Sequence, residues 1–285
     1  MGAPEKNERL IQVSLLVVAF SAISVLALIS LFIFTEGLPI MFRYGFKKFL
    51  FSLDWYPSEG HFGLLPMIVG SLFVTTGAML IGVPLGLAGA IYLTQFASKK
   101  VRVVVKPLIE LLAGIPSVVY GFIGVVILVP FIREYLGGPG LSVLAASIIL
   151  GIMILPTILS ISIDSLLALP PSYREGSIAL GATEWQTVRM VLIPAARSGI
   201  VASIILGMGR AVGETMAVIM IAGNATSIPY SVLDPVRTLT SNIALEMGYA
   251  SGEHRQALFA TGVILFVIIM ALNTIANLTS RKMSS

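Results

Sequence analysis

The sequence predicts an all-α, polytopic integral membrane protein with six transmembrane helices. Three observations predict it. Apolar runs of membrane-crossing length recur along the chain, only 11% of residues are charged at a mean hydropathy of +0.97, and lysines and arginines gather on alternate loops. So few charges cannot cover a soluble surface of this size.

The runs lie at 10–34, 64–93, 107–132, 141–169, 198–222 and 257–278. Each reaches the roughly 20 residues needed to cross a hydrocarbon core about 30 Å thick, and two run long enough to tilt. The first run is about 25 residues, well beyond the ~7–15 of a signal-peptide core, so it reads as a retained helix. With the loop at 35–63 it makes an N-terminal unit, 1–63, ahead of a core at 64–285.

Cysteine is absent, which excludes disulfides and thiolate metal sites. The pI near 9.4 reflects charges that orient the chain in a bilayer rather than nucleic-acid binding. One set of loops holds eleven cations: Lys6, Arg9, Lys99, Lys100, Arg102, Lys106, Arg174, Arg189, Arg197, Arg281 and Lys282. The opposite set holds six: Arg43, Lys47, Lys48, Arg133, Arg237 and Arg255. The excess places both termini in the cytoplasm of a multi-pass plasma (inner) membrane protein.

The fifth run contains Arg210-Ala-Val-Gly-Glu214. Residues four apart share a helix face, so Glu214 is the expected partner of Arg210. A charge at bilayer depth costs about 2.5–3.5 kcal/mol on insertion scales and marks a protein interior or a polar path. Two readings stand: a substrate path, or a structural ion pair locking two helices. Gly209 and Gly213 have the small-xxx-small spacing that admits a close helix.

Between the fourth and fifth runs lies an elbow at 170–197. Ser172-Tyr-Arg-Glu175 and Thr183-Glu-Trp-Gln186 both have capping-box spacing. Gly181 is placed to end the first short helix in the left-handed conformation, and Pro194 to end or kink the second. Two-turn helices are marginal alone. Leu180, Trp185, Val188 and Val191 offer apolar contacts, either to a partner protein or to the membrane and the chain's own bundle.

These residues carry a resemblance. Glu175-Gly-Ser, Gly181 and Val191-Leu-Ile-Pro194 match the spacing of the EAA motif of ABC importer permeases, with Glu175, Gly181 and Pro194 identical to it. Glu110-Leu-Leu-Ala-Gly-Ile-Pro-Ser-Val-Val-Tyr-Gly121, Gly209-Arg-Ala-Val-Gly-Glu-Thr-Met-Ala-Val218, Trp55-Tyr-Pro57 and Phe62-Gly-Leu-Leu-Pro66 resemble the phosphate-importer permeases, the PstC type more than its PstA-type sister. The resemblance implies a MetI-like type I importer fold and an elbow that couples to an ATPase through Glu175, Gly181 and Pro194. It also implies partners: a second, PstA-like permease, a PstB-like cytoplasmic ATPase dimer and a PstS-like extracytoplasmic phosphate-binding protein. Phosphate would be the cargo, with Arg210 and Glu214 on its path; arginine's planar fork suits an oxyanion. Molybdate, tungstate or sulfate in the same architecture is the alternative.

Other polar residues read as local. Glu110, near the cytoplasmic end of the third run, pairs with Lys106 four residues before it rather than touching substrate; Asp164 braces the elbow or reaches interfacial water; Asn273 and Asn277 bond between helices. Gly82, Pro84 and Gly86 mark a hinge or ordinary membrane-helix composition, and Ser117 and Tyr120 line a path or pack tightly. No Gly-x-x-x-x-Gly-Lys-Ser/Thr loop occurs, so an ATPase must be a separate chain. His61 and His254 sit in no metal motif, and no nucleophile and base share a span, which argues against an enzyme, a resident metal or a cofactor. A secondary transporter would need no elbow and would often show internal repeats, which are not seen.

Overall fold

A computed structural model of the chain describes residues 3–282, with side chains over 8–275. The side chains of Lys6, Asn277, Arg281 and Lys282 lie outside the described residues.

The chain opens with α1 (Ala3–Tyr44), which runs through residues 35–44 expected as loop. Packing extends it: Ile40 and Met41, both 1% exposed, bury against Ala257, Leu258 and Ala260. From Leu10 to Phe32 its large apolar side chains are at least half exposed, a lipid-facing surface. Next come α2 (Phe46–Phe51) and a hairpin of β1 (Trp55–Tyr56) and β2 (His61–Phe62), with Trp55 opposite Phe62. Two-residue strands are too short to show alternation in sequence; apart from an isolated bridge between Gly223 and Val236, every other regular element among the described residues is helical.

From the hairpin, α3 (Leu65–Ile91) runs to the elbow side and ends in a π-helical turn, Tyr92–Phe96. There α4 (Lys99–Ala113) forms a separate helix. The chain bends at Gly114–Pro116, where Pro116 disfavours a helical Ile115, and returns through α5 (Ser117–Ile123), a π-helical turn and α6 (Val129–Tyr135). The third span is therefore Ser117–Tyr135, ten residues later at its start than the 107–132 expected. The central helix is α7 (Val143–Leu167). The elbow contains α8 (Ser172–Ala179), α9 (Glu184–Thr187), a π-helical turn and α10 (Ile193–Ala195). Then follow α11 (Arg197–Gly213), α12 (Met216–Ile221), α13 (Leu239–Glu246) and α14 (Gly252–Lys282).

Five helices among the described residues are long and apolar enough to cross a membrane, and a sixth span is counted if Glu184–Ala195 and Arg197–Gly213, bent by 71°, are taken together. The expected fifth span, 198–222, is not one helix: it breaks at Glu214 and Thr215, between α11 and α12.

The core centres on α7, whose Leu150, Ile154, Ile158 and Ile163 are fully buried. Gly82 and Gly86 are packing positions rather than a hinge. A Cβ on Gly82 would sit 2.9 Å from the Gly151 carbonyl oxygen, and one on Gly86 2.8 Å from Ile158. Buried hydroxyls of Ser162 and Ser203, 2.9 Å apart, tie α7 to α11.

On the elbow side Lys106 pairs with Asp164 of α7 at 2.7 Å, not with Glu110. The span's later start puts Glu110 on α4, exposed, while Lys106 faces the bundle. The hydrogen bond it donates to Asp164 raises the Lys106 pKa above its ordinary 10.5, so this lysine is charged throughout the neutral range.

Candidate functional site

Arg210 enters the bundle from the last turn of α11 and is half-buried. Its Nη1 donates to Thr157 Oγ1 on α7 at 3.2 Å. Tyr120, buried on α5, donates its hydroxyl to Leu112 O at 2.8 Å across the 114–116 bend.

Glu214 does not pair with Arg210; among the described residues no ion pair joins them. The premise of one continuous helix fails at this point, because Glu214 has extended backbone, φ −69° and ψ 133°. Its Oε1 accepts from the Ala217 N–H at 3.1 Å, and its carbonyl accepts from Thr240 Oγ1 at 2.8 Å. A carboxylate at the start of α12 satisfies one of the N–H groups that a new helix leaves unpaired. Arg210 and Glu214 thus lie either side of a helix break, each held by a different neighbour.

Beside them α11 is open. A Cβ added at Gly209 or Gly213 would meet nothing within 4 Å, and Ala202, Leu206 and Gly213 are exposed. Among the described residues no close helix covers the face that the glycine spacing anticipates.

The elbow forms as two short helices around Gly181, whose φ of +84° is the left-handed conformation expected of it. Thr183 and Gln186 complete a capping box. Ser172 does not: the first helix is preceded by Pro171 with no side-chain cap, and Ser172 is already helical. Glu175 is exposed in the first turn of α8. Arg174 pairs with Glu184 at 2.8 Å, and the buried hydroxyls of Ser177 and Thr187 meet at 3.0 Å, which closes the elbow on itself. Pro194 lies two residues before the bend at Ala196, whose φ −85° and ψ 2° turn the chain by 71° into α11. Val188 and Leu192 anchor the elbow to α7, while Leu180 is 91% and Trp185 56% exposed. The elbow is fixed to the bundle on one side and presents an apolar, unpartnered surface on the other.

At the opposite end sits a cluster that the sequence did not disclose. The buried Glu246 carboxylate accepts from Arg237 Nη1 at 2.5 Å and Trp55 Nε1 at 2.9 Å, and His254 Nε2 lies 2.8 Å from the same oxygen as Trp55. Arg237 also donates to Asn242 Oδ1 and to the Asn224 carbonyl. Partners up to 191 residues apart leave no local pattern to read.

The family described as the binding-protein-dependent transport system inner membrane component matches residues 82–285. The chain belongs to that family. Among its relatives, the probable ABC transporter permease protein YqgH of Bacillus subtilis is 47% identical, over 89% of this chain and 85% of its own length. The phosphate transport system permease protein PstC of Mesorhizobium japonicum is 37% identical over 90% and 85%. The inward-facing MetNI methionine ABC transporter shares the fold, with a TM-score of 0.62 at 22% identity over 77% of this chain and 95% of that one. These relatives are permease subunits, not enzymes, and the all-α MetI-like architecture expected from sequence holds.

Proposed function

We propose that the chain is the PstC-type permease subunit of an ATP-driven phosphate importer and forms part of the phosphate path. The observation that carries the reading is Arg210: a permanent charge half-buried in an apolar bundle, oriented by Thr157, beside a helix face that this chain leaves open. A guanidinium offers phosphate two parallel hydrogen bonds, and a low-dielectric setting strengthens them. The name of the PstC relative supports phosphate as cargo.

The open Gly209–Gly213 face takes a second, PstA-like permease, which completes the path. The exposed apolar elbow, with Glu175, Gly181 and Pro194, docks on a PstB-like ATPase dimer, and a PstS-like binding protein delivers phosphate at the hairpin end. Elbow and termini face the cytoplasm of the inner membrane. Residues 1–63 form an N-terminal unit, and 64–285 the permease core. Closure of the ATPase dimer on ATP moves the elbows together, and the fixed joint at Ala196 passes that motion to α11 and Arg210.

Phosphate uptake into vesicles holding the whole complex tests this. Arg210→Ala abolishes uptake with assembly intact; Arg210→Lys keeps the charge but loses the fork, and falls between. Wild-type uptake by Arg210→Ala would remove Arg210 from the path, and uptake of sulfate or molybdate in preference to phosphate would reassign the cargo.

A further inference from the structure

α4 is a helix of 15 residues, too short to cross a bilayer. It lies between the elbow-side end of α3 and the start of the Ser117–Tyr135 span, so it is set at the membrane boundary. One face holds it to the bundle. Ile109 is buried against α7, Arg102 donates to Leu93 O at 2.8 Å and Thr94 O at 2.7 Å, and Lys106 reaches Asp164 at 2.7 Å. These contacts occupy Arg102 and Lys106. The other two cations of the helix, Lys99 and Lys100, are exposed and make no hydrogen bond or ion pair among the described residues.

Beside those two lysines runs an apolar stripe at helical spacing. Val101, Val104, Leu108 and Leu111 are 39, 61, 53 and 69% exposed. Cations at one end of an apolar stripe fit a helix lying in the headgroup layer, its apolar face among acyl chains and its lysine stems reaching out to phosphates. The spans on either side bring the bilayer to both ends of α4, and positive charge selects anionic headgroups.

We propose that α4 is an interfacial helix that binds anionic phospholipid, with Lys99 and Lys100 on the headgroup phosphate and the Val101–Leu111 stripe among the acyl chains. The lipid presses α4 onto the membrane from outside while Arg102 and Lys106 hold it from inside. Together they fix the angle at Gly114–Pro116, across which Tyr120 is bonded. The inference does not depend on which solute is carried.

The chain has no cysteine, so a fluorophore on Leu108→Cys reports the site without background. The full chain is reconstituted in vesicles holding brominated phosphatidylglycerol or brominated phosphatidylcholine at equal mole fraction. The same label at Leu26→Cys, on the lipid-facing part of α1, sets the quenching by bulk lipid. At Leu108 the phosphatidylglycerol quenches in excess, each lysine contributing about five-fold in headgroup occupancy at low salt. Lys99→Gln with Lys100→Gln, or high salt, removes the excess, while inorganic phosphate added at constant ionic strength leaves it. Equal quenching by the two lipids overturns the proposal. Quenching by neither means that protein covers α4, and overturns it too. Loss of the excess on adding inorganic phosphate assigns the lysines to the free anion instead of the lipid.

Discussion

The Arg210 guanidinium donates to Thr157 on the central helix, while Glu214, four residues on, accepts from the Ala217 N–H in the first turn of α12. The two charges therefore have separable tasks: one is aimed from α11 across to α7, the other holds the chain at a break in the middle of an apolar run. Mutations of their partners tell these tasks apart.

Thr157→Val keeps the shape and deletes the acceptor. Hydrogen bonds to charged groups are worth about 1.5–3 kcal/mol, and the 3.2 Å length places this one at the weak end. Phosphate uptake is expected to fall by roughly ten-fold, with assembly unchanged. Thr157→Ser, which restores a hydroxyl, recovers most of the rate. Uptake by Thr157→Val equal to wild type would show that Arg210 needs no help from α7.

Glu214→Ala removes the acceptor for Ala217 N–H and is expected to cost about 1 kcal/mol, a typical helix-cap loss. Glu214→Gln keeps an acceptor oxygen and discards the charge. Melting of the detergent-purified chain should fall for Ala and hold for Gln. If both variants melt at the wild-type temperature, the carboxylate is not what secures the break.

Gly181 has φ +84° and open space around any Cβ, so only the backbone resists substitution. Gly181→Val is expected to strain the elbow by about 1–2 kcal/mol, and Gly181→Asn by much less, because Asn visits the left-handed region. Limited proteolysis between α8 and α9, with ATPase copurification alongside, reads this out. Equal protease resistance and ATPase recovery in all three proteins would mean that the turn conformation is not limiting.

Glu246→Ala leaves the Arg237 guanidinium, 16% exposed, without its counter-charge. Breaking one side of a buried pair costs about 3–5 kcal/mol. A large drop in thermal stability is expected, partly restored by adding Arg237→Met. No recovery in the double variant would mean that Glu246 acts mainly through Trp55 and His254.

The legible parts of this fold are those with a local physical signature. The spans follow from apolar run length, the left-handed Gly181 from its place between two helix-forming stretches, and the Thr183–Gln186 box from three-residue spacing. The Ser172 box had the same spacing and did not form, because the helix after Pro170 and Pro171 already includes Ser172 and its hydroxyl no longer sits before the first turn. The separation of α4 from the third span was written in Gly114-Ile-Pro116, but continuous hydrophobicity across 107–132 outweighed it. The break at Glu214 had no such marker. Glutamate is a good helix former, and it is contacts from Thr240 and Ala217 that hold it extended. The Glu246 cluster was illegible for the same reason: Trp55, Arg237 and His254 meet only after the chain has folded.

The pairing of α1 with α14 sets a timetable for biosynthesis. Ile40 and Met41 of α1 bury against Ala257, Leu258 and Ala260 of α14, which is synthesised much later. Trp55 likewise waits for Glu246, and both wait for His254. Between the synthesis of α1 and that of α14, then, α1 resides in lipid with its docking face unfilled, and the hairpin end of the protein stays incomplete until α14 inserts. A nascent chain stopped before Gly252 lacks both α14 and His254.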